Sequence, residues 1–143
     1  MAIIRYVAVI FLIPLFWACQ GKNKDCRIAK TGTFYCHSLK ANLRYKLIRT
    51  DSLQTEINLT TGDSSFYRIK WKDGCTYNLS FIRTTRVMSD REKEFVSSHG
   101  LDCKILTVTP SYFIFKAVSV PDIGLGPVID TIWLRKVKLV SAR

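Results

Sequence analysis

Residues 67–81 constrain the fold of this chain more than any other stretch. Tyr67, Ile69 and Trp71 alternate with Arg68, Lys70 and Lys72. After Asp73-Gly74 the alternation resumes, with Tyr77, Leu79 and Phe81 set against Asn78 and Ser80. A period of two with one wet face marks an antiparallel strand that covers a core on its other side. Asp-Gly between two such runs is the strongest hairpin signal in the chain. Leu43, Tyr45 and Leu47 repeat the pattern against Asn42, Arg44 and Lys46.

Turn-like clusters at Thr50-Asp51-Ser52 and Thr61-Gly62-Asp63-Ser64 separate these runs. Strand signals return at residues 104–109 and 112–120, then at 130–140 after a loop over 121–127 that holds two prolines and two glycines. One helix interrupts them. Ser89-Asp90-Arg91-Glu92 has the spacing of a capping box, Gly100 is a natural stop, and Phe95 and His99 lie four apart on one helical face. About eight short strands joined mostly by tight turns, with a helix near 90–99 after the fifth, predict a mainly β domain. The expected architecture is an antiparallel meander closed into a small barrel or half-barrel, lipocalin-like in general shape, with a sandwich as the alternative. The chain holds eight Phe, six Tyr and three Trp. These could line a ligand cavity, but a barrel of eight strands is readily filled by its own side chains, and a filled core is the expectation.

The N-terminus reads as an address. Arg5 precedes twelve residues without a charge, Tyr6 to Trp17, and Ala18-Cys19 is followed by the polar run Gln20 to Lys24. That is the layout of a signal peptide over residues 1–18. Leu15-Phe16-Trp17-Ala18-Cys19 resembles a lipobox, which implies a lipidated Cys19 at the start of the mature protein. The expected product is an exported lipoprotein anchored to the membrane of the cell envelope, at the outer membrane rather than the inner one. A polar tether over 19–30 then leads to a single domain over 31–143.

Five cysteines is an odd number for an exported chain. Lipidation of Cys19 leaves Cys26, Cys36, Cys75 and Cys103, which can pair in three ways. An oxidising compartment favours disulfides, and the absence of any CxxC pair argues against zinc.

Three stretches carry a family likeness: residues 30–34, Lys-Thr-Gly-Thr-Phe; residues 49–56, Arg-Thr-Asp-Ser-Leu-Gln-Thr-Glu; and residues 69–77, Ile-Lys-Trp-Lys-Asp-Gly-Cys-Thr-Tyr. With the leader and Cys26 they resemble a group of small lipoproteins of Bacteroidota bacteria. The resemblance spans roughly residues 26–82. It implies a Cys26–Cys75 bridge and leaves Cys36 and Cys103 either paired with each other or free. The group offers no established activity. Some members carry a DNA topoisomerase label, but such an enzyme needs nucleotide-binding or strand-cleaving domains far larger than this chain.

The formal charge of +11 attracts anionic partners, and loss of residues 1–18 removes only Arg5 from it. Arg44, Lys46, Arg68, Lys70 and Lys72 fall on the polar side of predicted strands. The candidate partners of this basic face are phosphate-bearing headgroups or an envelope protein. Nucleic acid is not expected, because the interleaved aromatics fall on the opposite, core-facing side. Lys22, Lys24, Arg27 and Lys30 lie close to the anchor and would favour anionic lipid. His37 and His99 are the only histidines and have no partners at catalytic or metal-ligand spacing. No nucleotide loop, nucleophile elbow or zinc-protease motif occurs. The sequence therefore predicts a binding or interaction module without cofactor, with a structural role or an envelope hydrolase as alternatives.

Overall fold

In a computed structural model, residues 25–38 and 43–136 are described. Eight antiparallel strands form a closed barrel in chain order. They are β1 (Gly32–Ser38), β2 (Leu43–Arg49), β3 (Leu53–Asn58), β4 (Ser64–Trp71), β5 (Thr76–Thr84), β6 (Gly100–Val108), β7 (Tyr112–Val120) and β8 (Val128–Trp133), with helix α1 (Asp90–Ser98) between β5 and β6. The barrel, rather than the half-barrel or sandwich, is formed because β1 pairs with β8. That closing ladder is short: only Tyr35↔Trp133 and Cys36↔Ile132 are in register.

Alternation decides which side chains enter the barrel. Leu47, Ile69, Tyr77 and Leu79 are buried, whereas Arg44, Arg68 and Lys70 are exposed. Bulges bend two ladders, one beside Phe66/Tyr67 in the β4–β5 pair and one beside Ile105/Thr107 in the β6–β7 pair. Such extra residues increase local twist and let a short strand curve around a small barrel. The β4–β5 hairpin turns through residues 72–75, and the Asp73 carboxylate accepts from the backbone N–H of Cys75 and of Thr76, both at 2.7 Å. Gly100 opens β6 where a Cβ would stand 3.1 Å from the Leu79 carbonyl oxygen, so close strand approach explains glycine there. The last described strand ends at Trp133, and residues 137–140 of the expected final strand lie outside the described residues.

The two ends of the barrel differ. At one end a single 3-10 turn, Cys26–Ala29, packs beneath the strands, with Asp25 as its N-cap. Cys26 and Ala29 are buried, so these residues, expected to end a polar tether, form a plug instead. Cys26 and Cys75 form a disulfide with Cα atoms 5.3 Å apart, which staples the plug to the β4–β5 turn. Above it Phe34 meets Phe113 edge to face at 5.6 Å, and Ile105 and Ile132 complete the core. The opposite end carries α1 and the 121–127 loop. α1 starts at the capping box, in which Ser89 and Glu92 bond each other's backbone N–H.

Candidate functional site

The barrel is not filled, contrary to the expectation from sequence. Between the packed closed end and the α1 end lies an interior cavity of about 190 Å³. Its wall is partly apolar, from Leu47, Leu79, Phe115 and Ile132, and partly polar, from Gln54, Glu56, Tyr77 and Asp130. Small inward residues leave room: Cys36 and Cys103 line this cavity, and Ala117 lines the space toward α1, at positions where larger side chains would fill it.

Arg49 organises the floor. It is only 2 % exposed. Its Nη1 donates to the Ala29 carbonyl at 2.7 Å, its Nε donates to Gln54 Oε1 at 2.8 Å, and its Nη2 donates to the Tyr77 hydroxyl at 3.1 Å. The guanidinium carbon lies 4.8 Å from the centre of the Tyr77 ring and 5.7 Å from those of Phe34 and Phe113. A buried cation is tolerated when its donors are used and aromatic faces surround it. Register supplies the main partner, since Arg49 and Gln54 sit directly opposite in the β2–β3 ladder.

Gln54 passes the interaction on. With its oxygen fixed by Arg49, its Nε2 donates to Glu56 Oε1 at 2.6 Å. Burial pushes the Glu56 carboxyl above its ordinary range, against the Gln54 hydrogen bond and the Arg49 charge, which pull it down. Glu56 in turn reaches the cavity tyrosines. Tyr67 is pushed up to about 12, mainly by burial and then by Glu56, and Tyr45 is raised for the same two reasons.

Cys36 and Cys103 are free thiols. Burial, then Asp130, pushes Cys36 up to about 12, and its Sγ donates to Asp130 Oδ2 at 3.5 Å. Burial likewise pushes Cys103 up to about 12. Neither thiol is poised as a nucleophile, because the thiolate is the reactive form. His37 follows Cys36 on the strand and so faces the other side of the sheet, which leaves the Cys36 thiol facing a carboxylate rather than this imidazole. No cluster of three or more metal-ligating side chains occurs among the described residues.

Toward the α1 end lies a second cavity, a mouth of about 340 Å³ that shares Leu79 and Leu101 with the first. Tyr67, Phe81 and Leu79 form its strand walls, Phe95 and Val96 come from α1, and Ile123 and Leu125 come from the loop. Apolar side chains stand exposed at this end, with Val87 at 92 % and Leu125 at 81 %. Phe95 stacks on His99 at 4.4 Å, on the shared face that the four-residue spacing predicts.

The five cations read from sequence do not form one patch. Arg44 and Lys46 lie on β2 and Arg68 and Lys70 on β4, with β3 between them. The outward β3 residues Leu53 and Ile57 stand opposite Arg68 and Lys46. Lys72 is paired with Asp102 at 2.7 Å. Near the plug, Arg27 is paired with Asp25, and Lys30 lies over the Trp71 ring. Cys19 lies outside the described residues. Sequence reasoning missed Arg49, Gln54 and Glu56 as cavity residues, although their positions continue the inward parity of Tyr45 and Leu47 and its facing strand.

No family model, no curated protein and no solved structure matches this chain.

Proposed function

We propose that this protein is an exported envelope lipoprotein, anchored through Cys19, whose barrel binds a small apolar or amphipathic molecule without transforming it. The observation that carries the reading is the interior cavity beside an apolar mouth, the two sharing Leu79 and Leu101. Ligand sites are concave, largely apolar and furnished with a few convergent polar groups, and the pairing of an apolar mouth with the Gln54–Glu56 floor has that character. The plug end begins at Asp25, so a tether from Cys19 arrives at the end opposite the mouth and leaves the mouth facing away from the anchor.

The experiment compares solvent extracts of the purified chain with those of an Ala117→Trp variant, in which a large ring enters the mouth. Mass spectrometry is expected to find a small molecule in the first extract that the second lacks. Identical extracts overturn the binding reading. Intact mass of the unreduced protein tests the anchor separately: an acylated chain starting at Cys19 is expected, and a retained leader overturns it.

A further inference from the structure

We infer that a second site lies in the barrel wall at the β1–β8 seam, and that it binds a small molecule with a flat apolar body and one carboxylate or phosphate group. The seam is the weakest ladder of the barrel. Beyond the Cys36↔Ile132 pair the register stops, so His37 and Thr131 have no ladder partner across it. The strands part there around a cavity of about 500 Å³, a volume typical of small-molecule sites.

Its walls suit a flat ring. Tyr35 and Trp133, paired across the seam, form the outer side, and Tyr45 with Leu59 forms the other. Trp133 is itself packed against Tyr112, with 5.1 Å between ring centres, which restrains it. Rigid aromatic surfaces bind flat groups with little loss of side-chain freedom.

Its charges suit an anion. Arg44 stands directly opposite His37 in the β1–β2 ladder, and Lys136 lines the same opening. Among the described residues neither Arg44 nor Lys136 has a carboxylate within ion-pairing distance, unlike Arg27, Lys72, Arg86 and Lys93. His37 Nε2 is buried and has no hydrogen-bond partner among the described residues. A buried polar nitrogen without a partner is costly, and a ligand oxygen would satisfy it. The one carboxylate present, Asp130, is already engaged: Oδ2 accepts from the Cys36 thiol and Oδ1 accepts from the Thr131 N–H at 2.7 Å. Two unpaired cations and an unpartnered imidazole nitrogen therefore outweigh it. Of the five strand cations noted in the sequence, Arg44 lines this cavity.

The test titrates the full chain by calorimetry with naphthoate, naphthyl phosphate, neutral naphthalenemethanol and naphthylmethylammonium. Both anions are expected to bind about tenfold tighter than the alcohol, the worth of one or two charge-assisted contacts. The ammonium is expected to bind weakest. Arg44→Gln, on an exposed position, should erase the preference for the anions while leaving the affinity for the alcohol unchanged. Ala117→Trp, which fills the mouth, should leave anion binding intact and so separate this site from the mouth. Equal affinity of the wild type for anion and alcohol, or a preference for the anions that survives Arg44→Gln, overturns the inference. Inorganic phosphate displacing naphthyl phosphate at equal concentration overturns its aromatic half.

Discussion

Arg49 Nη1 and the Ala29 carbonyl oxygen meet at 2.7 Å, and this bond joins the N-terminal plug to the barrel floor. The 3-10 turn has little else of its own. It is one turn long, and a structure that short gains its stability from what it packs against. The disulfide holds it covalently, and the Arg49 bond fixes its orientation over the floor.

Replacing Arg49 with Met keeps much of the volume and removes the donors. Gln54 Oε1, the Tyr77 hydroxyl and the Ala29 carbonyl then lose a buried partner. At about 1–3 kcal/mol for a buried group left unsatisfied, partly relieved by rearrangement, a total near 3 kcal/mol is expected. Thermal unfolding should fall by about 10 °C. Because the plug is also stapled, the unreduced variant should stay folded at room temperature. A melting temperature within about 2 °C of wild type would show that the Arg49 network is dispensable.

The two thiols of the cavity are expected to be inert. With Cys36 and Cys103 pushed up to about 12, roughly one thiol in ten thousand is ionised at pH 8. A disulfide reagent added to the native, unreduced protein should titrate neither within minutes. Denaturant should expose both at once. Reaction in the native state should accelerate as pH rises, because the thiolate fraction grows tenfold per unit. Fast native labelling of Cys36 at pH 8 would contradict the buried, acid-facing environment described for it. The Cys26–Cys75 bridge, with 49 residues of separation, should contribute about 4 kcal/mol through loop closure, read as the loss of stability on selective reduction.

Glu56 makes stability depend on pH in a definite direction. Its carboxyl is raised in the folded protein, so the folded state holds its proton where the unfolded chain has released it. The stabilising contribution is complete below the unfolded carboxylate range and is lost as pH rises through the folded one. Glu56→Gln keeps an oxygen for the Gln54 amide and cannot ionise. It should match wild type at acid pH and become the more stable protein near neutrality, by a few degrees in thermal melts. A variant that loses stability at neutral pH would mean that Glu56 is held there as an anion by Arg49.

Much of this architecture is legible in the residues. The alternation at 43–47, 67–72 and 77–81 places each side chain on its correct face, and the Ser89–Glu92 spacing forms the capping box. Three features were hidden for physical reasons. Arg49 and Glu56 sit on the inward parity, but charge alone sends a reader to assign them to solvent; only the cross-strand pairing Arg49↔Gln54 makes their burial affordable. The cavity was hidden because hollowness depends on volumes summed around the barrel. The available signal was the trio Cys36, Cys103 and Ala117, small residues on inward positions of three different strands. The plug was hidden because Asp25 to Lys30 is polar in composition, while only Cys26 and Ala29 need be buried.

Helix α1 should behave as a lid with its own stability. It buries none of its residues, and its attachment rests on the Ser89–Glu92 box, the Arg86–Glu92 ion pair at 3.2 Å and the Phe95 and Val96 side chains at the mouth. Ser89→Ala removes the cap and should cost about 1 kcal/mol, the usual worth of such a residue. The loss is expected locally. Amide exchange over residues 90–98 should quicken about fivefold or more, while the exchange of β6 and β7 and the global melting point hold. Acid should act on the same element, because hydrogen bonds from Ser89 and then Arg86 hold the Glu92 carboxyl below its usual range. The cap is therefore kept above that range and lost as pH falls through it, so α1 should loosen under acid while Glu56 is gaining its proton and the barrel is being stabilised. Exchange measured at two pH values separates the two effects. Simultaneous quickening of α1 and of the barrel strands in Ser89→Ala would show that the helix is part of the core rather than a lid over its mouth.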